Sequence, residues 1–285
     1  EDNDTLRGHH GDDTLYGQGG IDFIFGDEGN DYLDGGNEDD ANDHLFGQSG
    51  NDTLYGFEGN DRLYGGSGDD KLVGHRGNDY VYGDSGDDTI EVYYFDDTDF
   101  FDGGSGYDIL ELRPSDDRNL RVDFATGEVS DDLPGLQTFQ NIEHIVTGSG
   151  DDIIQGDANT NYLEGGAGND SLYGGDGQDG FTPGSGDDEV YGEAGDDTIS
   201  VVDFTGNDFL DGGIGFDSLL LIPADGRELE ISVPDRKIYS GLTGTQTFRS
   251  IERIISGAGN DLIQGNDNAN FFYGWRGGER HNPYL

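Results

Sequence analysis

Apolar residues recur at every ninth position along most of the chain, and the residues between them are mainly Gly, Asp and Asn. A representative block is Gly26–Asp34, with the template Gly-x-x-Gly-x-Asp-x-apolar-x. The last three positions alternate as a half-buried strand does, so position 8 points to one side and its neighbours point to the other. The first six positions are typical of a turn, and glycine at positions 1 and 4 is predicted to permit positive φ there.

Two positions of this template are almost constant across nineteen complete blocks. Position 8 is apolar in all nineteen blocks, and position 6 is Asp in seventeen and Asn in two, at Asn161 and Asn270. Two blocks should supply two strands and two turns, which form one coil of eighteen residues. Parallel stacking of these coils would bury the position-8 side chains in a thin interior. The pattern therefore predicts an all-β solenoid.

A longer period of 109 residues is superimposed on the nonapeptides. Two less regular stretches are related by this offset, and each ends in Phe-x-x-Ile-Glu. We expect these inserts to continue the solenoid as wider, irregular coils. The predicted divisions are a first β-roll block (1–111), an insert (112–146), a second block (147–220), a second insert (221–255) and terminal coils with a cap (256–285).

The charge of the chain adds a requirement for cations. There are 62 Asp and Glu residues against 14 Lys and Arg residues, and the formal net charge is −48. Such a chain repels itself and has little apolar surface to offset the loss of conformational entropy. The same charge disfavours nucleic acid and anionic membranes as partners. No apolar run is long enough for a bilayer-spanning helix, and the absence of Cys excludes disulfide bonds.

The position-6 aspartates lie in a register that suits a hard cation. Stacked coils should place each of them beside the Asp eighteen residues on, as for Asp52 and Asp70. Carboxylates and peptide carbonyls of a Gly-rich turn suit Ca²⁺, whereas Mg²⁺ resists dehydration and Zn²⁺ favours nitrogen and sulfur ligands. The candidate metal ligands are Asp4, Asp13, Asp22, Asp31, Asp43, Asp52, Asp61, Asp70, Asp79, Asp88, Asp99, Asp108, Asp152, Asp170, Asp179, Asp188, Asp197, Asp208, Asp217 and Asp261.

Two blocks, Gly65–Val73 and Gly165–Tyr173, match in full the nonapeptide Gly-Gly-x-Gly-x-Asp-x-apolar-x. Over nearly its whole length the chain resembles the RTX, or hemolysin-type, calcium-binding proteins. The resemblance implies a right-handed parallel β-roll, with Ca²⁺ held between consecutive turns by position-6 carboxylates and earlier carbonyls. It also implies export by a type I secretion system. Continuous stacking would give roughly sixteen calcium sites, weak or empty at Asn161 and Asn270.

We interpret the chain as a calcium-binding structural module of a secreted or cell-surface protein, such as a stalk, filament or surface segment. It is expected to fold on binding Ca²⁺ outside the cell, and it is not expected to be an enzyme. Neither a Gly-x-Ser-x-Gly nucleophile elbow nor a His-Glu-x-x-His motif is present. Residue 1 falls inside a repeat and there is no Met, so we expect a piece of a longer protein.

Two alternatives remain open at this point. In the first, the chain is the C-terminal module of a secreted protease, lipase or alginate epimerase whose catalytic domain lies upstream. In the second, it is an adhesin or glycan-binding segment. Position 9 is often aromatic, as at Phe46, Tyr64 and Tyr82, and a strip of such rings would suit a glycan surface or self-association. We favour the interpretation that these rings stack across strands and stiffen the sheet.

Overall fold

The structure, a computed structural model, is built from β-strands. It describes residues 2–37, 40–131, 137–242, 244–268 and 270–274. These residues form thirty strands and no helix. No helix that could cross a membrane is found in this described part of the chain. The chain divides into two compact units, residues 1–149 and 150–285. The predicted terminal cap falls mostly on residues 275–285, outside the described residues.

The first unit contains sixteen strands in two sheets. In chain order they are β1 (Thr5–His10), β2 (Thr14–Tyr16), β3 (Phe23–Glu28), β4 (Tyr32–Asp34), β5 (His44–Ser49), β6 (Thr53–Glu58), β7 (Arg62–Ser67), β8 (Lys71–Arg76), β9 (Tyr80–Ser85), β10 (Thr89–Val92), β11 (Phe100–Asp102), β12 (Ile109–Leu112), β13 (Arg121–Asp123), β14 (Glu128–Ser130), β15 (Gln137–Gln140) and β16 (His144–Val146). Odd strands β1 to β11 stack in one parallel sheet, and even strands β2 to β12 with β16 stack in the other.

Each coil of this unit adds one strand to each sheet, in the register that the nonapeptide predicts. Leu45 pairs with Leu63, and Leu63 pairs with Val81, each eighteen residues along the chain. The block that begins at Gly35 has three residues more than the template. It is accommodated, because Ile24 pairs with Leu45 across twenty-one residues. The predicted solenoid of parallel stacked coils is therefore confirmed.

The first insert contains antiparallel pairing that the nonapeptide pattern does not predict. Val122 of β13 lies opposite Val129 of β14, and Val129 lies opposite Gln137 of β15, both in antiparallel register. Strand β15 then resumes parallel stacking, with Phe139 beside Phe101 of β11. The insert thus contains a three-stranded meander whose last strand rejoins the solenoid.

The second unit repeats this arrangement with fourteen strands. They are β17 (Ile153–Gln155), β18 (Tyr162–Glu164), β19 (Ser171–Asp176), β20 (Gly180–Thr182), β21 (Glu189–Ala194), β22 (Thr198–Val201), β23 (Phe209–Asp211), β24 (Ser218–Leu221), β25 (Glu230–Ser232), β26 (Lys237–Tyr239), β27 (Gln246–Arg249), β28 (Arg253–Ser256), β29 (Leu262–Gln264) and β30 (Phe271–Gly274). Strands β25, β26 and β27 form the second antiparallel meander, and β27 stacks in parallel on β23.

The position-8 side chains form the interior, as predicted. Sixteen of the nineteen are at most 2 % exposed, and the three that are not are Leu15, Ile263 and Phe272. The buried set is Ile24, Leu33, Leu45, Leu54, Leu63, Leu72, Val81, Ile90, Leu110, Ile154, Leu163, Leu172, Phe181, Val190, Ile199 and Leu219. Each strand thus contributes one such residue to the interior, so apolar burial per coil is small.

The turns place positive φ at positions 2 and 4 rather than at positions 1 and 4. In the block that begins at Gly65, φ is 116° at Gly66 and 120° at Gly68, whereas Gly65 itself lies outside this region. Residues other than glycine adopt the same conformation at position 2, as at Phe57 (71°) and His75 (72°). The prediction for position 1 is therefore wrong, and glycine is needed there for a different reason.

The position-9 aromatic residues stack along the outer face of the first sheet. Ring centroids are 4.9 Å apart for Phe25 and Phe46, 5.0 Å for Phe46 and Tyr64, and 5.0 Å for Tyr64 and Tyr82. These rings are within 7° of parallel, and parallel rings this close cannot lie in one plane without overlapping. Their faces therefore pack against each other, which supports the stiffening role.

Replacing one ring should weaken the sheet. We expect Tyr64→Ala to lower the free energy of unfolding of the calcium-loaded protein by about 1–2 kcal/mol, because two stacked pairs are lost. Tyr239→Ala, at a tyrosine that is 40 % exposed on β26, is the control and should cost less than about 0.5 kcal/mol. Urea unfolding in calcium measures both, and equal small effects would contradict the stacking role.

Candidate metal sites

The structure gathers the position-6 residues into rows that run from coil to coil. In the first unit one row is Asp13, Asp31, Asp52, Asp70, Asp88 and Asp108, and the other is Asp4, Asp22, Asp43, Asp61, Asp79 and Asp99. In the second unit the rows are Asp152, Asp170, Asp188 and Asp208, and Asn161, Asp179, Asp197 and Asp217. Nineteen of the twenty predicted aspartates thus lie in rows.

One hydrogen bond joins each pair of neighbours within a row. The N–H of Asp52 donates to Oδ1 of Asp70 at 2.7 Å, and the N–H of Asp70 donates to Oδ1 of Asp88 at 2.8 Å. Asp261 is the exception among the predicted ligands, because its Oδ1 accepts the N–H of Leu229 at 2.9 Å instead of that of an aspartate.

The row carboxylates are removed from solvent. Seventeen of the nineteen row aspartates are at most 3 % exposed, and Asp61 and Asp188 are fully buried. A buried carboxylate is costly unless every oxygen is paired. Within the described residues, Oδ2 has no hydrogen-bond donor at Asp13, Asp31, Asp52, Asp61, Asp70, Asp79, Asp88, Asp108, Asp170, Asp179, Asp188, Asp197, Asp208 and Asp217. Buried oxygens without a donor, repeated at every coil, indicate a partner other than protein.

The free oxygen lies beside a main-chain carbonyl of the next coil. A Cβ built on Gly8 would stand 2.6 Å from Oδ2 of Asp13 and 2.7 Å from the carbonyl oxygen of Gly26. The distances at Gly56 are 2.5 Å to Oδ2 of Asp61 and 2.9 Å to the carbonyl oxygen of Gly74. Glycine is therefore favoured at position 1, where a side chain would fill the space that these two oxygens face. It stands there in sixteen of the nineteen blocks, and the exceptions are Thr147, Pro183 and Ser256.

This donor set fits calcium. Carboxylate and carbonyl oxygens are the ligands that Ca²⁺ takes, and repetition of the same pair in each coil provides a site between consecutive turns. No group of three or more His, Asp or Glu side chains in the described part of the chain comes together as a metal site. Main-chain carbonyls would therefore have to supply part of each coordination shell.

Comparison with known families agrees with this geometry. The sequence profile of the RTX calcium-binding nonapeptide repeat (4 copies) matches residues 1–24, 11–41, 39–72, 55–90, 95–118, 146–181, 184–201, 204–219 and 249–278, which together span well over half of the chain. The chain belongs to the RTX calcium-binding repeat family. A search of curated proteins found no match.

One solved structure that resembles this RTX chain is the extracellular lipase LipA from Serratia marcescens, with 18 % sequence identity and a TM-score of 0.31. The similarity covers 75 % of this chain and 43 % of the lipase chain. The RTX chain thus spans less than half of that lipase.

When no cation is bound, the surroundings of the row aspartates in the RTX module disfavour the charged form of their carboxyl groups. Burial raises the pKa of Asp61 and Asp70 to about 8, that of Asp88 to about 7 and that of Asp52 to about 6. Desolvation is the largest cause, and the charges of neighbouring row residues add to it. The N–H donated from the preceding coil acts in the opposite direction.

The inserts contain row residues that the sequence analysis missed. The N–H of Asp108 donates to Oε2 of Glu143 at 2.9 Å, and that of Asp217 donates to Oε2 of Glu252 at 2.8 Å. The signal was present, because Glu143 precedes the buried Ile145 by two residues, as each position-6 Asp precedes its apolar residue. The nonapeptide template does not include Glu143, because it specifies Asp within a Gly-rich block.

The two asparagines of the template differ from the aspartates in their hydrogen bonds. Oδ1 of Asn161 accepts the N–H of Asp157 in its own turn at 2.9 Å. The amide nitrogen of Asn270 donates to the carbonyl oxygen of Asn266 at 3.2 Å. A weak or empty calcium site at these two positions stays a prediction.

Acid should stabilise the metal-free RTX module. Since the row pKa values of about 6 to 8 lie above the ordinary 3.8, the folded state binds protons more tightly than the unfolded chain. The contribution of these groups is present in full below about pH 4 and is lost as the pH rises through about 6 to 8. In calcium-free buffer, far-UV circular dichroism should therefore show more β-structure at about pH 5 than at about pH 8. The opposite order would contradict the burial of these carboxylates.

Adding a methyl group at position 1 should obstruct a site without straining the backbone. A Cβ on Gly65 would overlap Oδ2 of Asp70 and lie 2.8 Å from the carbonyl oxygen of Gly83. We expect Gly65→Ala to raise the calcium concentration at the folding midpoint and to destabilise the loaded protein by about 1–3 kcal/mol. Ser67→Ala, at an exposed position of the same turn, removes only a 3.3 Å hydrogen bond to the carbonyl of Gln48, so it should leave the midpoint unchanged and cost less than about 0.5 kcal/mol. An unaltered midpoint for Gly65→Ala would show that this space is not used.

Proposed function

We propose that this RTX module folds when Ca²⁺ binds along its aspartate rows, and that it serves as a structural segment of a secreted or cell-surface protein. The observation that carries the proposal is the repeated pairing of a buried, donor-free carboxylate oxygen with a carbonyl oxygen of the next coil. The position-6 carboxylates would hold the ions, and the position-1 carbonyls would add further oxygen ligands to each coordination shell. Bound Ca²⁺ supplies positive charge and cross-links between coils.

The charge of the chain supports this role. The formal net charge is −48, and roughly sixteen ions carrying two charges each would neutralise on the order of thirty of these negative charges. The apolar interior is thin, although some strands bury a second apolar residue, as Leu112 does on β12, and we infer that it does not offset this repulsion alone. Ion binding is therefore coupled to folding rather than added to a finished fold.

Folding outside the cell is the consequence that we infer from affinity. Sites of this kind in extracellular modules bind Ca²⁺ with dissociation constants of roughly 10⁻⁴–10⁻³ M, far above cytosolic concentrations. The chain would stay unfolded inside the cell, which suits passage through a type I secretion system, and would fold on release.

The acidic groups are suited to structure rather than catalysis. Catalytic carboxylates work as one unusual pair in a cleft, whereas these rows repeat the same contact at every coil. The alternative of a C-terminal module in a secreted enzyme assigns the same calcium chemistry to these residues, and differs only in what is joined to them.

A calcium titration tests the proposal. After chelation, far-UV circular dichroism should show a disordered chain that gains β-structure cooperatively at roughly 10⁻⁴–10⁻³ M Ca²⁺. Mg²⁺ at the same concentrations is the control and should give no change, because it resists dehydration. A chelated chain that is already fully β and that Ca²⁺ leaves unchanged would contradict metal-driven folding.

A further inference from the structure

Each insert returns to the solenoid through a turn that is shorter than the nonapeptide turn. In the first insert the buried Phe139 and Ile145 are six residues apart, whereas successive position-8 residues of a regular pair of blocks are nine apart. Phe139 nevertheless stacks on Phe101, and Ile145 stacks on Leu110. Residues 140–144 therefore make the same connection between the two sheets as a regular turn.

Glu143 stands at the row position of this turn. In the coil before it, the N–H of Asp88 donates to Oδ1 of Asp108 at 2.8 Å. The N–H of Asp108 in turn donates to Oε2 of Glu143 at 2.9 Å. The Glu143 carboxylate thus continues the row that the insert would otherwise end.

The carbonyl partner is reproduced as well. A Cβ on Gly83 would lie 2.5 Å from the carbonyl oxygen of Gly103, in the regular arrangement. A Cβ on Gly103 would lie 2.7 Å from Oδ2 of Asp108 and would overlap the carbonyl oxygen of Asn141. Asp108 is 1 % exposed, and its Oδ2 has no hydrogen-bond donor among the described residues. The short turn therefore presents a carbonyl and a carboxylate beside the same kind of free oxygen.

The second insert repeats these contacts independently. The N–H of Asp217 donates to Oε2 of Glu252 at 2.8 Å. A Cβ on Gly212 would lie 2.6 Å from Oδ2 of Asp217 and would overlap the carbonyl oxygen of Ser250. Asp217 is 1 % exposed, and Oδ2 of this residue also has no donor within the described part of the chain.

We propose that Glu143 and Glu252 are calcium ligands, and that each completes a further site, with Asp108 and Asp217 respectively, at the point where an insert rejoins the solenoid. The proposal rests on the calcium role proposed above. At the other edge the equivalent row positions are Gln137 and Gln246, which carry no charge. The amide nitrogen of Gln137 donates to Oδ2 of Asp99 at 3.3 Å. The inserts thus extend the carboxylate row on one edge and end it on the other.

The test removes the charge and keeps the shape. We expect Glu143→Gln and Glu252→Gln each to remove one bound ion or to weaken one site by about tenfold, and the double variant to show both losses, because ligand charge sets calcium affinity. The exposed Glu128 and Glu230 lie in the same inserts, so Glu128→Gln and Glu230→Gln are matched controls and should leave binding unchanged. Calorimetric titration and metal analysis after equilibrium dialysis give the affinities and the ion count.

The outcomes separate this inference from the proposed function. If the wild-type chain binds no Ca²⁺, the proposed function fails. If the wild-type chain binds Ca²⁺ but the Glu143→Gln and Glu252→Gln proteins bind the same number of ions equally well, only the assignment of these two glutamates is overturned.

A variant that does not fold in calcium calls for a measurement on the wild-type protein. Anomalous scattering from calcium-grown crystals should then show an ion within about 2.3–2.6 Å of carboxylate oxygens of both Asp108 and Glu143. Occupied sites elsewhere in the rows and none at this pair would overturn the assignment.

Discussion

The fold depends on carboxylates that are buried beside one another at every coil. In the row of Asp52, Asp70 and Asp88, the N–H of each residue donates a hydrogen bond to the carboxylate of the next. Each of the three is at most 2 % exposed. Their pKa values, raised to about 6, 8 and 7, express the cost of charge in this surrounding. Since a buried negative charge is costly, bound cations would contribute to the folding free energy under the proposed function.

The same requirement explains why the repeat tolerates so little variation. Position 1 is glycine in sixteen of the nineteen blocks, and the oxygens of Asp70 and Gly83 face the space where a Cβ on Gly65 would stand. Outer positions vary, and several of them carry rings that stack between coils. Even the inserts, which abandon the nonapeptide, return a carboxylate to the row through Glu143 and Glu252.

Much of this architecture follows from periodicity alone. The nine-residue register identifies the buried position-8 residues and the position-6 rows, because each block repeats the same environment. The meander could not be found that way, since residues 112–146 lack the period, although the positive φ of Gly127 (66°) beside Asp123 marks its hairpin. The reason for glycine at position 1 could not be predicted, because the carbonyl of Gly83 approaches Gly65 from the next coil, and no single block reveals a contact between coils. Asp261 fits the template and yet faces Leu229, since its neighbour comes from the insert.

The most direct test replaces Asp52, Asp70 and Asp88 together by Asn. It measures β-structure by far-UV circular dichroism without calcium and the free energy of unfolding by urea in saturating calcium. The amides keep an acceptor for the row hydrogen bonds and remove the buried charge. The account predicts opposite signs: the triple variant should contain more β-structure than the wild-type protein in calcium-free buffer at neutral pH, and should be less stable when calcium is saturating. A variant that is less stable in calcium and no more structured without it would contradict the claim that buried charge makes this fold depend on calcium.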